Sequence, residues 1–363
     1  MNKLRIGLLF GGRSVEHEVS LVSASSILKA LDPNRYDIAL IAVDPEGRWH
    51  LGDPALPPEA AVSGEVVSLP AVPDGDTLLS PVGRDLGQAR KLDVIFPIIH
   101  GRGGEDGSLQ GLLELASVPY VGSGVLGSAL QMDKEVSKRL LSLAGLPVVP
   151  WVSLHSSALQ RSGSELTADI LAELSLPLFV KPASLGSSVG ISRVDAAGEL
   201  LPALHDAARY DTKILVERGL DAREIEVALL GNDPIEASLP GEIRTSHAFY
   251  DYEAKYADDS TELLVPAPIS EDETQHVREL AGRAMEVLEG KGLGRVDFLL
   301  ERETGDFFIN EVNSLPGFTE ASMYPRLWNA SGVSYPALLD RLIELALEHH
   351  REQAQLTSIY RRT

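Results

Sequence analysis

The chain of 363 residues contains no cysteine. That excludes disulfides, a thiolate nucleophile, thiolate-bound zinc and iron–sulfur clusters, so covalent chemistry would need another nucleophile. Cations are scarce as well, Lys plus Arg numbering 32 against 53 Asp plus Glu for a net charge of -21. A surface of that sign disfavours nucleic acid and anionic lipid, and an anionic substrate must find a locally basic cleft. No apolar run is long enough to span a bilayer, and the short one at residues 6–10 stops at Gly11-Gly12, too early for a signal peptide. The expectation is a cytoplasmic, soluble protein without repeats or low-complexity tracts. Its 44% hydrophobic and 23% charged content suits two or three domains with substantial cores.

The N-terminal third alternates strand-like and helix-like stretches: strand 4–10, helix 16–31, strand 36–43, strand 92–99, helix 108–116. That order predicts an α/β, doubly wound parallel sheet. Residues 51–90 carry Pro54, Pro57, Pro58, Pro70, Pro73 and Pro81 with little periodicity, and are read as a surface insertion without chemistry. A smaller mixed region follows, with a helix through Lys134 and Leu141, a strand near 148–152, a helix from Ser164 and strands near 178–181, 190–194 and 213–217. A third region takes a helix over 272–289 and a closing helix over 335–349, with a loosely held tail beyond.

Near the C-terminus, segments 294–300 and 307–313 place Arg295, Asp297, Glu311 and Asn313 within an apolar pattern. The bridging Glu303-Thr304-Gly305-Asp306 is turn chemistry. A hairpin symmetric about Thr304 sets Asp297 opposite Glu311 and Arg295 opposite Asn313, all on one face. Two carboxylates pressed together in a half-buried sheet repel unless protonated or bridged, and an all-oxygen set suits a hard divalent ion such as magnesium. The alternative is a structural network in which Arg295 neutralises Asp297 and Asn313 caps a turn.

Other segments carry chemistry of their own. Between two expected strands, Lys181 precedes the loop Pro182-Ala183-Ser184-Leu185-Gly186-Ser187-Ser188-Val189-Gly190. Its small residues let backbone N–H groups approach phosphate oxygens, as a lid over a nucleotide would, although a plain glycine–serine turn has the same composition. His100-Gly101-Arg102-Gly103-Gly104-Glu105-Asp106-Gly107 lies where a strand gives way to a helix, the ligand position of open α/β sheets. Helix capping by Asp106 or Ser108 explains its acids but not His100. Gly11 to Glu18 occupies the equivalent turn after the first strand; there Glu16 could hold an ammonium, or merely favour the helix dipole, and spaced dinucleotide-binding glycines are missing. The aromatic, charged run 249–256 suits a closing loop or a subunit contact. Glu217 and Glu224 flank an interdomain crossing where an acid could meet a ribose or simply face solvent. Residues 315–319 with Ser322 form a turn whose amides could hold a carboxylate.

Seven of these stretches, 11–20, 100–107, 132–134, 181–190, 250–256, 294–297 and 310–319, occur in an order and spacing that resemble the D-alanine:D-alanine ligase family of the ATP-grasp superfamily. The resemblance covers nearly the whole chain, and the 51–90 insertion is similar to the family's longer branch. It implies a three-domain ATP-grasp architecture: an N-terminal doubly wound unit over 1–122, a central subdomain with the lid over 123–217, and a C-terminal subdomain over 218–349, before a tail over 350–363. ATP would lie between the last two units, with Lys134 and Lys181 on its phosphates. Glu217, Arg218, Leu220 and Glu224 at the crossing, and Lys255, would contact the nucleotide; Arg218 stands where some relatives have lysine. Asp297, Glu311 and Asn313 would bind Mg2+, or Mn2+ in its place.

By the same resemblance, Glu16 anchors the first D-alanine ammonium and links through Ser187 to Tyr256. His100 lies beside that substrate, Arg295 and the Gly317 amide serve as oxyanion donors, and Ser322 takes the second carboxylate. The implied reaction forms an acyl phosphate that a second D-alanine attacks, for peptidoglycan synthesis, in a homodimer with no nucleic-acid or membrane partner. Tyr256 favours a dipeptide over D-alanyl-D-lactate, since the lactate-using relatives replace that tyrosine. The competing expectations are a noncatalytic nucleotide sensor, which would have lost Lys181 or a metal ligand, and an ATP-grasp ligase for another acceptor, which would lack Glu16.

Overall fold

The computed structural model describes residues 3–72, 77–81, 90–244 and 262–356. Tyr256 and Lys255, with the rest of the expected closing loop, lie outside the described residues.

Strand β1 (Leu4–Gly11) pairs in parallel with β2 (Tyr36–Val43) and β7 (Val94–Ile98). Ile6, Leu8 and Phe10 pack toward helix α1 (His17–Ala30), while Leu9 points to the opposite layer with α2 (Ser108–Leu115). A strand covered on both faces must be apolar throughout, hence its unbroken hydrophobic run. The expected doubly wound centre is therefore present. The described part of 51–90, however, is not a surface insertion. Strands β3 (Trp49–Gly52), β4 (Glu65–Ser68), β5 (Thr77–Pro81) and β6 (Arg90–Leu92) form an antiparallel meander that extends the sheet to seven strands, in the order β6-β5-β4-β3-β2-β1-β7. Ala61, Val67 and Leu92 are buried beneath it. Strands of three to five residues are too short to show a period, and most of the intervening prolines occupy the connections, which explains the misreading.

Helices α3 (Val125–Met132) and α4 (Lys134–Leu143) pack Leu130 and Leu141 into the core of the C-terminal sheet; the central unit holds β8 (Trp151–His155), α5 (Leu159–Glu173), β9 (Leu178–Pro182), β10 (Ser192–Val194), α6 (Leu200–Ala207) and β11 (Lys213–Arg218). Its antiparallel sheet runs β10-β9-β11-β8, and α5 and α6 bury Ile170 and Leu204 against Val180 and Val216. Strand β8 begins later than expected because Pro147 and Pro150 interrupt the preceding stretch, where Val148 instead makes an isolated bridge to Ile309.

The C-terminal sheet comprises β12 (Ala222–Gly231), β13 (Glu236–Ala237), β14 (Gly241–Arg244), β15 (Glu262–Leu264), β16 (Gly292–Glu301) and β17 (Phe307–Asn313), with β12 paired to β14 on one side and β16 on the other. Helix α7 (Glu271–Val287) covers one face; Ser270 and Glu273 cap it reciprocally. Helices α8 (Met323–Ala330) and α9 (Tyr335–Ala354) pack with the N-terminal sheet in one hydrophobic cluster, Phe318, Tyr324 and Leu339 joining Phe10 and Phe96. The closing helix thus continues five residues beyond His349, where a loose tail was expected. No helix among the described residues is long and apolar enough to cross a membrane.

Candidate active site

Next to the turn, Leu300 pairs with Phe307, Leu299 with Phe308 and Phe298 with Ile309; then the register shifts, and Asp297 pairs with Glu311 and Arg295 with Asn313. Asn310 is the extra residue of a bulge. The turn is centred half a residue before Thr304, so an uninterrupted ladder would set Glu311 opposite Val296 and aim it into the core. The bulge returns Glu311 and Asn313 to the face of Asp297, so the expected pairs occur for a reason the symmetric reading did not contain. Its sequence signal is the adjacent polar pair Asn310-Glu311 within an otherwise alternating strand.

On the other side, Glu226 of β12 pairs with Asp297, so three acids cross β12, β16 and β17 in one row. Arg295 answers them. Its guanidinium donates to both Asp297 oxygens at 2.6 and 2.7 Å, and its Nε lies 3.0 Å from Glu226 Oε2. Burial alone would lower the Arg295 pKa, but the surrounding carboxylates hold it well above the ordinary value. Asn313 Nδ2 donates to Asp297 Oδ2 at 2.9 Å, and Lys134 Nζ lies 3.1 Å from Glu311 Oε2.

The metal question turns on this donor set. Two carboxylates and the Asn313 side-chain amide meet on one face, and each carboxylate already draws a cation, Arg295 or Lys134. A hard divalent ion arriving with phosphates fits that demand. Among the described residues no group of three or more acids or histidines is arranged to hold a metal ion by itself, so substrate oxygens or water would have to complete its coordination.

Lys134 opens α4 directly after Asp133, whose side chain caps the helix by accepting from the Glu135 and Val136 N–H groups. The same ammonium donates to the Leu185 carbonyl of the lid at 2.9 Å. In that lid, Ser187 and Ser188 hold φ of 50° and 57°, a left-handed conformation costly for serine. Ser187 Oγ donates to Glu16 at 2.5 Å, tying the central unit to the turn after β1.

His100 is buried; its Nδ1 meets the Leu315 carbonyl at 3.0 Å, and burial lowers its pKa. It is read as a neutral imidazole donating from Nδ1. Glu105 accepts from the Gly101 and Leu315 N–H groups at 2.6 and 3.1 Å, yet burial, then the nearby Glu16 charge, pushes its pKa up to about 8. Ser322 Oγ accepts from Thr319 N–H at 3.1 Å and sits beside Gly317.

One cavity of about 470 Å³ brings together Glu16, His100, Lys134, Ser187, Arg295, Glu311, Asn313, Gly317 and Ser322. Lys181, Asp297 and Glu217 do not line it; Asp297 contacts the lining residue Arg295, and Lys181 contacts Asn310 and Glu217. Glu217 does not face solvent: its carboxylate is buried between Lys181 at 2.8 Å and Lys138 at 3.0 Å. The lysines outweigh its burial and lower its pKa. Arg218 reaches toward Glu301 at 3.4 Å, and Leu220 and Glu224 are half-buried along the start of β12. Four participants escaped the sequence reading as site residues: Glu105, Lys138, Glu226 and Asn310. Spacing held the clue for two of them, Glu226 being two strand positions after Glu224 and Lys138 one helical turn after Lys134.

Comparison with known proteins gives a consistent set of relatives. Residues 5–123 match the family described as D-ala D-ala ligase N-terminus, and residues 140–344 match D-ala D-ala ligase C-terminus. The chain is 47% identical over 373 aligned residues to D-alanine--D-alanine ligase A of Bradyrhizobium diazoefficiens, covering 99% of both. It is 49% identical over 368 to the Chromobacterium violaceum D-alanine--D-alanine ligase A, covering 98% of this chain and 99% of that one. Among solved structures, the D-alanine-D-alanine ligase from Coxiella burnetii superposes with a TM-score of 0.87 at 37% identity, over 98% of this chain and 97% of that one. The VanG D-Ala:D-Ser ligase from Enterococcus faecalis gives 0.83 at 34%, over 95% and 100%.

Proposed function

Since the chain belongs to the D-alanine–D-alanine ligase family, we propose that it joins two D-alanines into D-alanyl-D-alanine, driven by ATP, for peptidoglycan precursor synthesis. The observation that carries this reading is the meeting of Glu16 after β1, Ser187 after β9, Lys134 of α4 and Arg295 of β16 at one cavity. The family architecture is ATP-grasp, and we read the chain as units 1–122, 123–217 and 218–349 with ATP held between the last two.

Within that frame, Lys134 and Lys181 bind the nucleotide phosphates, and Asp297, Glu311 and Asn313 hold the divalent ion, taken as Mg2+. Such an ion supplies charge neutralisation between phosphates when bound. Glu16 holds the ammonium of the first D-alanine, beside neutral His100. The carboxylate of that D-alanine takes the terminal phosphoryl group of ATP, releasing ADP, and the neutral amine of the second D-alanine, anchored by Ser322, attacks the acyl-phosphate carbonyl. Arg295 and the Gly317 amide face the oxygen on which negative charge develops, and phosphate leaves. Positioning and electrostatics suffice here, so the lack of a thiol is no obstacle. The protein is taken to act in the cytoplasm as a homodimer.

The test is phosphate release with ATP and D-alanine, run beside L-alanine, D-serine and D-lactate. Release is expected with D-alanine and is expected to collapse in Glu311→Gln. Release that ignores D-alanine, or survives Glu311→Gln undiminished, would overturn the reading; a preference for D-serine or D-lactate would overturn only the choice of acceptor.

A further inference from the structure

Helix α4 carries two lysines one turn apart on the same side. Lys134 reaches the lid and Glu311, but Lys138 turns inward and is only 1% exposed. Its ammonium lies 3.0 Å from Glu217 Oε1. The other oxygen of Glu217 lies 2.8 Å from Lys181 Nζ, which also donates to Asn310 Oδ1 at 3.3 Å. A buried line therefore runs from α4 through β11 and β9 to the bulge of β17: Lys138, Glu217, Lys181, Asn310.

Two cations share one anion in that line, leaving a single positive charge in excess. Burying a second lysine is costly and serves no evident packing need, since one lysine already neutralises Glu217. We propose that Lys138 is a positioning residue for the nucleotide: by occupying one oxygen of Glu217, it keeps Lys181 from collapsing into a closed, neutral pair and leaves that ammonium available to phosphate. Without Lys138, both Glu217 oxygens would turn to Lys181 and the cluster would carry no net charge. The inference rests on Lys181 being a phosphate ligand.

The experiment measures the affinity of the full-length protein for a nonhydrolysable ATP analogue, AMP-PNP with Mg2+, by isothermal titration calorimetry, together with KM and kcat. Lys138→Met is expected to weaken AMP-PNP binding about tenfold and raise KM for ATP, with kcat and KM for D-alanine little changed. The double variant Lys138→Met/Glu217→Gln restores one excess positive charge, and is expected to bind within about threefold of wild type. A merely structural strut would not be rescued by removing its second partner as well.

Wild-type affinity in Lys138→Met, or a double variant no tighter than Lys138→Met, overturns the proposal. Where the methionine variant does not fold, Lys138→Leu, which likewise leaves that oxygen of Glu217 without a donor, takes its place with the same expectations. Lys181→Met is the control: unchanged AMP-PNP affinity there would refute the phosphate role of Lys181 itself, a different failure from that of Lys138.

Discussion

Arg295→Met retains much of the side-chain volume of Arg295 and removes its charge. The loss is predictable because Arg295 stands among Glu226, Asp297 and Glu311, set side by side on three adjacent strands. The Arg295 side chain is 14% exposed and those of Asp297 and Glu226 15% and 6%, so water compensates little. Breaking a buried pair from one side costs about 3–5 kcal/mol, chiefly by stranding the remaining charge. Partial exposure of Asp297 places the expectation near the lower end, about 3 kcal/mol, or a fall in Tm of about 4 °C. Magnesium should return part of that loss, because a divalent ion bound only by the folded state supplies the missing positive charge. Phosphate release should fall by about 10²–10³, the usual consequence of deleting an oxyanion donor. Differential scanning calorimetry with and without Mg2+ decides the matter. A variant that melts with wild type refutes the pairing, and an equal loss in both buffers refutes the claim that these acids receive a divalent cation.

Glu105 gives a pH prediction of definite sign. Folded, it keeps its proton up to about 8, whereas the ordinary glutamate value is 4.5. Between those limits the folded state binds more protons than the unfolded one, so the stability due to this proton is complete below the lower value and is lost as pH rises through the upper. Glu105→Gln, uncharged throughout, should therefore flatten the decline in Tm from about pH 5 to pH 8 relative to wild type; parallel curves would refute the assignment. Phe318→Ala addresses the joint behind Gly317. Phe318 is fully buried against Phe96, Tyr324 and Tyr335, so truncation should cost about 3–5 kcal/mol. It should also raise KM for D-alanine, by loosening the turn that bears Gly317, and a variant with wild-type Tm would show that this cluster does not hold the N-terminal sheet to α8 and α9.

Much of the site was legible as local chemistry. The run His100 to Gly107 sits in a strand-to-helix turn, as its pattern requires, and Lys181 and Ser187 flank and occupy a glycine–serine loop whose composition anticipated close approach. What escaped was weakly periodic or long-range. The β3–β6 meander is built from strands too short to show alternation. Glu217 looked like a surface acid because its lysine partners lie 36 and 79 positions upstream in the chain.

Residue order alone determined which side chains share a strand face or a helical turn, because those periods follow from backbone geometry. It thereby specified the apolar core strands, the lid loop and the candidate acids and lysines, and the order of its motifs pointed to the family. Only the tertiary structure decided whom those groups meet. Asn310 had to bulge before Glu311 could turn toward Asp297, and Glu217 had to be enclosed between α4 and β9 before its charge had an address. A carboxylate's partner is set by electrostatic interactions acting through space across a low-dielectric interior, and that distance is not written in sequence separation.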